Sequence, residues 1–147
     1  MAGTWVTCNQ GVAMVVHHHT LIIAKVLIDP KKLNCNGIQK MLSRLVEKTN
    51  MKKLFEPIAI HGKYGYTGTV GIVTSHMAFH YFETEQALHF DVYSCMEYNL
   101  NSLLGFLDSY WKIDQADVIF IERDKGPKMR NYKYKQKQLL EVRGEQK

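Results

Sequence analysis

The stretch Ser75-His-Met-Ala-Phe-His-Tyr-Phe-Glu-Thr-Glu-Gln-Ala-Leu-His-Phe-Asp-Val-Tyr-Ser-Cys95 decides the architecture. A polar run, Glu83-Thr-Glu-Gln86, separates two segments in which apolar and polar residues alternate, the pattern of half-buried strands. A period of two puts His76, Ala78, His80 and Phe82 on one face of the first strand. On the second it groups His89, Asp91, Tyr93 and Cys95, and turns Leu88, Phe90 and Val92 toward a core. The reading is an antiparallel hairpin, His76 to Phe82 and Ala87 to Cys95.

Working outward, Thr67 to Val73 reads as a strand in which Gly68 and Gly71 predict a close backbone approach or a bulge. Before it, Phe55 to His61 reads as a strand and Gly62 to Tyr66 as a turn. Thr20 to Ile28 is an apolar, β-branched strand closed by Asp29-Pro30. A helix opened by Asn36-Gly37 carries Ile38, Met41, Leu42, Leu45 and Val46 at three- and four-residue spacing. A second, started by Asn99, carries Leu100, Leu103, Leu104, Leu107 and Trp111, and a last strand runs from Val118 to Ile121. The order β-α-β-β-β-β-α-β predicts an α+β fold, a mostly antiparallel sheet with two helices on one face. The other face then needs a cover, and a second copy forming an αββα sandwich is the expected one, making the protein a homodimer.

A chain of 147 residues, 46% hydrophobic and 22% charged, can bury a self-sufficient single core. Its net charge of +5 suggests an anionic partner until the charge is located. Residues 123–147 hold nine Lys or Arg and three acids, whereas residues 1–122 hold ten basic and eleven acidic groups. The expected division is a lead-in at 1–18, a domain at 19–122 and a basic tail at 123–147. The tail carries no base-reading motif, so a solvated end is expected and nucleic acid is not an expected partner. Three cysteines, Cys8, Cys35 and Cys95, without CxxC spacing indicate neither a disulfide framework nor a zinc knuckle. Leu21 to Ile28 is interrupted by Lys25 and too short to span a bilayer, so no membrane partner and a cytoplasmic location are expected.

The histidines raise the question of a metal. On a strand, His76 and His80 stand about 13 Å apart, too far to share an ion, and the adjacent His17, His18 and His19 of an extended chain point in opposite directions. No metal is expected. From pattern alone, His76, His80 and His89 read as polar members of a half-buried sheet.

The run Thr67-Gly-Thr-Val-Gly-Ile-Val-Thr-Ser75-His76-Met-Ala-Phe-His80, followed by Phe90-Asp91-Val-Tyr-Ser-Cys95, resembles the core of the prokaryotic S-adenosylmethionine decarboxylase proenzymes. In that family a Glu-Ser-His follows a Val/Ile strand, with a His, an Asp and a Cys at set intervals after the serine. Ser75, His80, Asp91 and Cys95 keep those intervals, and weaker similarity runs from His19 to Ile121.

The resemblance implies that the chain cuts itself between Thr74 and Ser75, converting Ser75 into a pyruvoyl cofactor. That group would form a Schiff base with the substrate amine and act as the electron sink for decarboxylation. It further implies that Thr67 polarises the shifting carbonyl and that His80 removes the serine α-proton. Cys95 would return a proton to the product carbanion. It surrounds the substrate with Phe82, Tyr64, Tyr66, Met77, Glu83 and Thr84, the aromatic rings offering adenine a stacking surface. Two departures stand out: Thr74 replaces the family acid before the serine, and Thr84 aligns with the acid that contacts the ribose. The implied activity is production of decarboxylated S-adenosylmethionine for spermidine synthesis. The same cofactor acting on ornithine or arginine, and an unprocessed paralogue that binds or regulates a partner, are the alternatives.

Overall fold

The computed structural model describes residues 15–143. Helix α1, Cys35–Lys48, begins because the Asn34 side chain accepts a hydrogen bond from the Gly37 amide at 2.8 Å. Its apolar stripe, Ile38, Met41, Leu42, Leu45 and Val46, is buried throughout. Helix α2, Leu100–Trp111, is capped in the same way, Asn99 accepting from the Ser102 amide at 2.9 Å. It buries Leu103, Leu104, Leu107 and Trp111 and ends at Lys112 in a left-handed conformation.

Eight strands form one antiparallel sheet: β1 His18–Val26, β2 Ile58–His61, β3 Gly65–Ile72, β4 Ser75–Phe82, β5 Ala87–Ser94, β6 Ile113–Glu122, β7 Lys128–Lys135 and β8 Gln138–Val142. Their spatial order is β2-β3-β4-β5-β1-β6-β7-β8. The predicted hairpin stands in register, with His80 opposite His89 and His76 opposite Tyr93. Met77, Phe79 and Tyr81 of β4 and Leu88, Phe90 and Val92 of β5 share one core with both helices. Trp111 anchors it, its ring 5.2 Å from that of Phe79 and 5.3 Å from that of Tyr81.

At both strand glycines the expected backbone approach or bulge is replaced by an aromatic side chain lying over the glycine, in a strand paired without a register shift. A Cβ on Gly68 would lie 2.3 Å from the Phe79 ring, and one on Gly71 would lie 2.3 Å from the Phe55 ring. Among the described residues, none covers the sheet face away from the helices; Ile23 is 54% and Ile60 61% exposed.

Several boundaries differ from the sequence reading. Strand β1 starts at His18 rather than Thr20, β2 at Ile58 rather than Phe55, and β6 extends back to Ile113. Most of the expected lead-in lies outside the described residues. The largest difference is in the segment read as a basic tail, since β7 and β8 continue the sheet through it. Tyr134 of β7 is buried and donates a hydrogen bond to Asp108 on α2 at 2.7 Å, while the other Asp108 oxygen accepts from the Ile113 amide at 2.9 Å. Dense charge hid these strands: every apolar residue of β7 and β8 is separated from the next by Lys, Arg, Glu, Gln or Asn, except Leu139 and Leu140.

Replacing Tyr134 by Phe removes a hydrogen bond to a half-buried carboxylate while keeping the ring. Urea denaturation of Tyr134→Phe should show a loss of about 2 kcal/mol. An unchanged midpoint would mean that β7 contributes nothing to the cooperative unit.

Candidate active site

Strands β3 and β4 are joined by two residues, Val73 and Thr74, between the paired Ile72 and Ser75. Thr74 has φ 53°. A β-branched side chain in the left-handed region is a steric outlier, and such conformations cost on the order of 1–3 kcal/mol where the surrounding structure imposes them. The strain therefore sits on the residue whose carbonyl precedes Ser75.

The end of β5 closes over this turn. The Cys95 amide donates to Ser75 Oγ at 3.0 Å, fixing the hydroxyl. Thr74 Oγ1 lies 2.7 Å from Cys95 Sγ, and Cys95 is buried. The fold thus brings Thr74, Ser75 and Cys95 together from positions twenty residues apart.

A second group stands further along the open face. Thr67 Oγ1 and His80 Nδ1, cross-strand neighbours, are 2.9 Å apart. Phe82 flanks them, its ring 6.5 Å from that of His80 and 5.5 Å from that of His89. His80 is five residues from Ser75 on the same strand, about 16 Å at the rise of an extended chain. Within one chain the Thr67–His80 pair and the Ser75–Cys95 pair are therefore two separate clusters.

The remaining residues expected near a substrate scatter. Met77 is wholly buried against the helices, and Tyr66 faces the same side, donating to the Leu33 carbonyl at 3.1 Å and stacked on His61 at 4.2 Å. Tyr64 is 70% exposed in the β2–β3 turn and Thr84 is exposed in the β4–β5 turn. Glu83 accepts from or pairs with His61 Nε2 at 2.8 Å.

An array of rings beside Ser75 was not foreseen. Tyr93 stacks on His76 at 5.5 Å, meets His19 edge-on at 6.0 Å and carries the Arg123 guanidinium 5.0 Å from its ring centre. Its hydroxyl is 3.0 Å from His17 Nδ1. Beginning β1 at His18 produces this array, because His19 then pairs with Tyr93 on the open face while His18 turns inward against Phe120. Phe55 adds another ring at this end, across Gly71, the register partner of His76.

The sequence profile described as S-adenosylmethionine decarboxylase matches residues 20–124. The chain belongs to the S-adenosylmethionine decarboxylase family. The matched span of this decarboxylase-family chain includes the Thr74 turn, Cys95 and the Thr67–His80 pair. A solved structure, the adenosylmethionine decarboxylase from Aquifex aeolicus VF5, superposes with a TM-score of 0.61 at 19% identity, covering 76% of this chain and 92% of that one. Its likeness establishes the fold. No curated protein matches this family member in sequence.

Burial holds the His19 imidazole below its ordinary value of 6.5; Asp91 opposes the shift, and Arg123 and His76 reinforce it. As pH falls through 6.5 the unfolded chain takes up this proton before the folded one, so the contribution of His19 to stability declines below that pH. The thermal midpoint should fall between pH 7 and pH 5, and less steeply in His19→Gln. Parallel curves for the two proteins would remove His19 as the cause.

Proposed function

We propose that this chain is a self-processing, pyruvoyl-dependent decarboxylase that converts S-adenosylmethionine to its decarboxylated form, an aminopropyl donor for spermidine synthesis. The observation that carries this reading is the strained Thr74–Ser75 turn, with the Ser75 hydroxyl held by the Cys95 amide. Attack of Ser75 Oγ on the Thr74 carbonyl replaces the peptide C–N bond by an ester C–O bond, the hydroxyl proton passing to the freed nitrogen. Cleavage relieves the backbone constraint at Thr74, which favours the forward direction. Removal of the Ser75 α-proton by a histidine then expels the Thr74 carboxylate, and hydrolysis releases ammonia to leave the pyruvoyl group. When present, that group supplies a carbonyl that binds a substrate amine and accepts the electron pair left by carbon dioxide. Cys95, against the same turn, is the proton donor to the substrate carbon.

The working form proposed is a homodimer in which two open sheet faces meet. Support comes from the exposed apolar residues on that face and from the separation of the two clusters: His80 cannot reach Ser75 of its own chain. A facing copy would bring the partner's His80 and the partner's Thr67 to Ser75 and Cys95. The Thr67 hydroxyl then orients the imidazole through the 2.9 Å contact.

Intact-mass measurement should record cleavage into segments 1–74 and 75–147, absent in Ser75→Ala. A chain that stays at 17.0 kDa through long incubation would sink the enzymatic reading and favour a paralogue that binds or regulates a partner. Carbon dioxide release should be specific for S-adenosylmethionine; release from ornithine or arginine instead would reassign the substrate. Cys95→Ala should cut normally and release carbon dioxide at least tenfold more slowly.

A complementation experiment tests the shared site. Ser75→Ala and His80→Ala chains should each stay largely uncut alone, whereas coexpression should cut the His80→Ala chain. If that chain cuts equally well alone, His80 has no part in processing. A monomer by sedimentation would exclude the dimer.

A further inference from the structure

Thr74 enters the site twice. Its carbonyl carbon is the proposed point of attack, and its side chain meets the thiol across the turn, Oγ1 lying 2.7 Å from Cys95 Sγ and 2.8 Å from the Val73 carbonyl oxygen. Cys95 Sγ is 3.7 Å from that same carbonyl. Because the thiol is only 7% exposed, these protein groups rather than bulk water are its immediate polar surroundings.

A hydroxyl has one proton and gives it to one acceptor at a time. While sulfur keeps its proton, the Thr74 O–H donates to Cys95 Sγ or to the Val73 oxygen, and the Cys95 S–H donates to that same oxygen. Once sulfur has lost its proton, the Thr74 O–H can turn to the thiolate, whose charge would otherwise face a carbonyl dipole in a buried setting. Thr74 stands where the resembling family carries an acid. An ionised carboxylate has no proton to offer a thiolate, whereas a hydroxyl does.

We propose that Thr74 is a positioning residue for Cys95, its hydroxyl directing the thiol proton and then stabilising the thiolate left when that proton is given up. In that step the S–H bond breaks with its electron pair retained on sulfur, and the electron pair on the substrate carbon forms the new C–H bond. Solvent later restores the thiol. The catalytic consequence rests on the proton-donor reading of Cys95 and on Thr74 keeping this contact as the last residue of the first segment after cleavage, but the coupling between the two side chains in the uncut chain rests on neither.

The test measures Cys95 alkylation by iodoacetamide in the full chain at pH 8, read by peptide mass spectrometry with Cys35 as internal control. A Ser75→Ala background holds every sample uncut. Adding Thr74→Val, which keeps the branched shape and removes the hydroxyl, should slow Cys95 labelling about tenfold, the effect of losing one hydrogen bond to a charged sulfur. Thr74→Ser should stay within about twofold of the parent, because it keeps the donor. Cys35 labelling should be the same in all three. A loosened turn would expose the thiol and speed its labelling, the opposite change. Equal or faster Cys95 labelling in Thr74→Val overturns the proposal. Failure of self-processing would appear instead as an uncut Ser75 chain, whatever the labelling rates.

Discussion

Burying one face of the sheet beneath α1 and α2 sets the register of its central strands, β3, β4, β5, β1 and β6. A slip of one residue would turn Met77, Phe79 and Tyr81 to water and bring His76, His80 and Phe82 into the core, exchanging large apolar burial for unpaired polar groups. The same constraint works outward. With the core residues committed to the helix side, Thr67, His80, His89, Tyr93 and His19 must all stand on the opposite face, where no element among the described residues covers them. The chemistry-bearing surface is thus the complement of the core pattern.

The turn between β3 and β4 owes its shape to that register. Ile72 and Ser75 are paired, leaving two residues to reverse the chain, and Thr74 takes φ 53° although its branched Cβ disfavours it. The pairing of β4 with β5 returns the chain to the same end, so the Cys95 amide reaches Ser75 Oγ. Strain, nucleophile and thiol share one sheet end for a topological reason. The Thr67–His80 pair is locked to its distant position equally firmly, since cross-strand pairing allows it no freedom to approach Ser75 in its own chain.

The two strands within the basic C-terminal segment show why composition can mislead about architecture. Lys128, Arg130, Lys133 and Lys135 look like a solvated end when counted as charges. Alternation nonetheless carries Tyr132 and Tyr134 to the inner face, where Tyr134 meets Asp108 and joins the core. Lys133 finds Asp117 on the neighbouring strand at 2.6 Å, and Arg130 pairs with Glu122. Positive charge concentrated along the chain is in part balanced across the sheet by acids of β6.

Local chemistry was enough to read both helices and the β4–β5 hairpin with its two faces, and to mark Gly68 and Gly71 as special positions, though not that aromatic rings lie over them. These depend on spacing, capping and side-chain volume, which act over a few residues. The spacing of Ser75, His80, Asp91 and Cys95 carried the family resemblance for the same reason, being a pattern along one chain. Tertiary structure alone decided that Thr67 and His80 form a cluster apart from Ser75 and Cys95, and that His17, His19, His76 and Arg123 surround Tyr93. It also decided that Thr74 is strained and touches the thiol. Each of these follows from strand pairing between residues distant in sequence, where a shift of one position at the start of β1 determines which side of the sheet a histidine occupies.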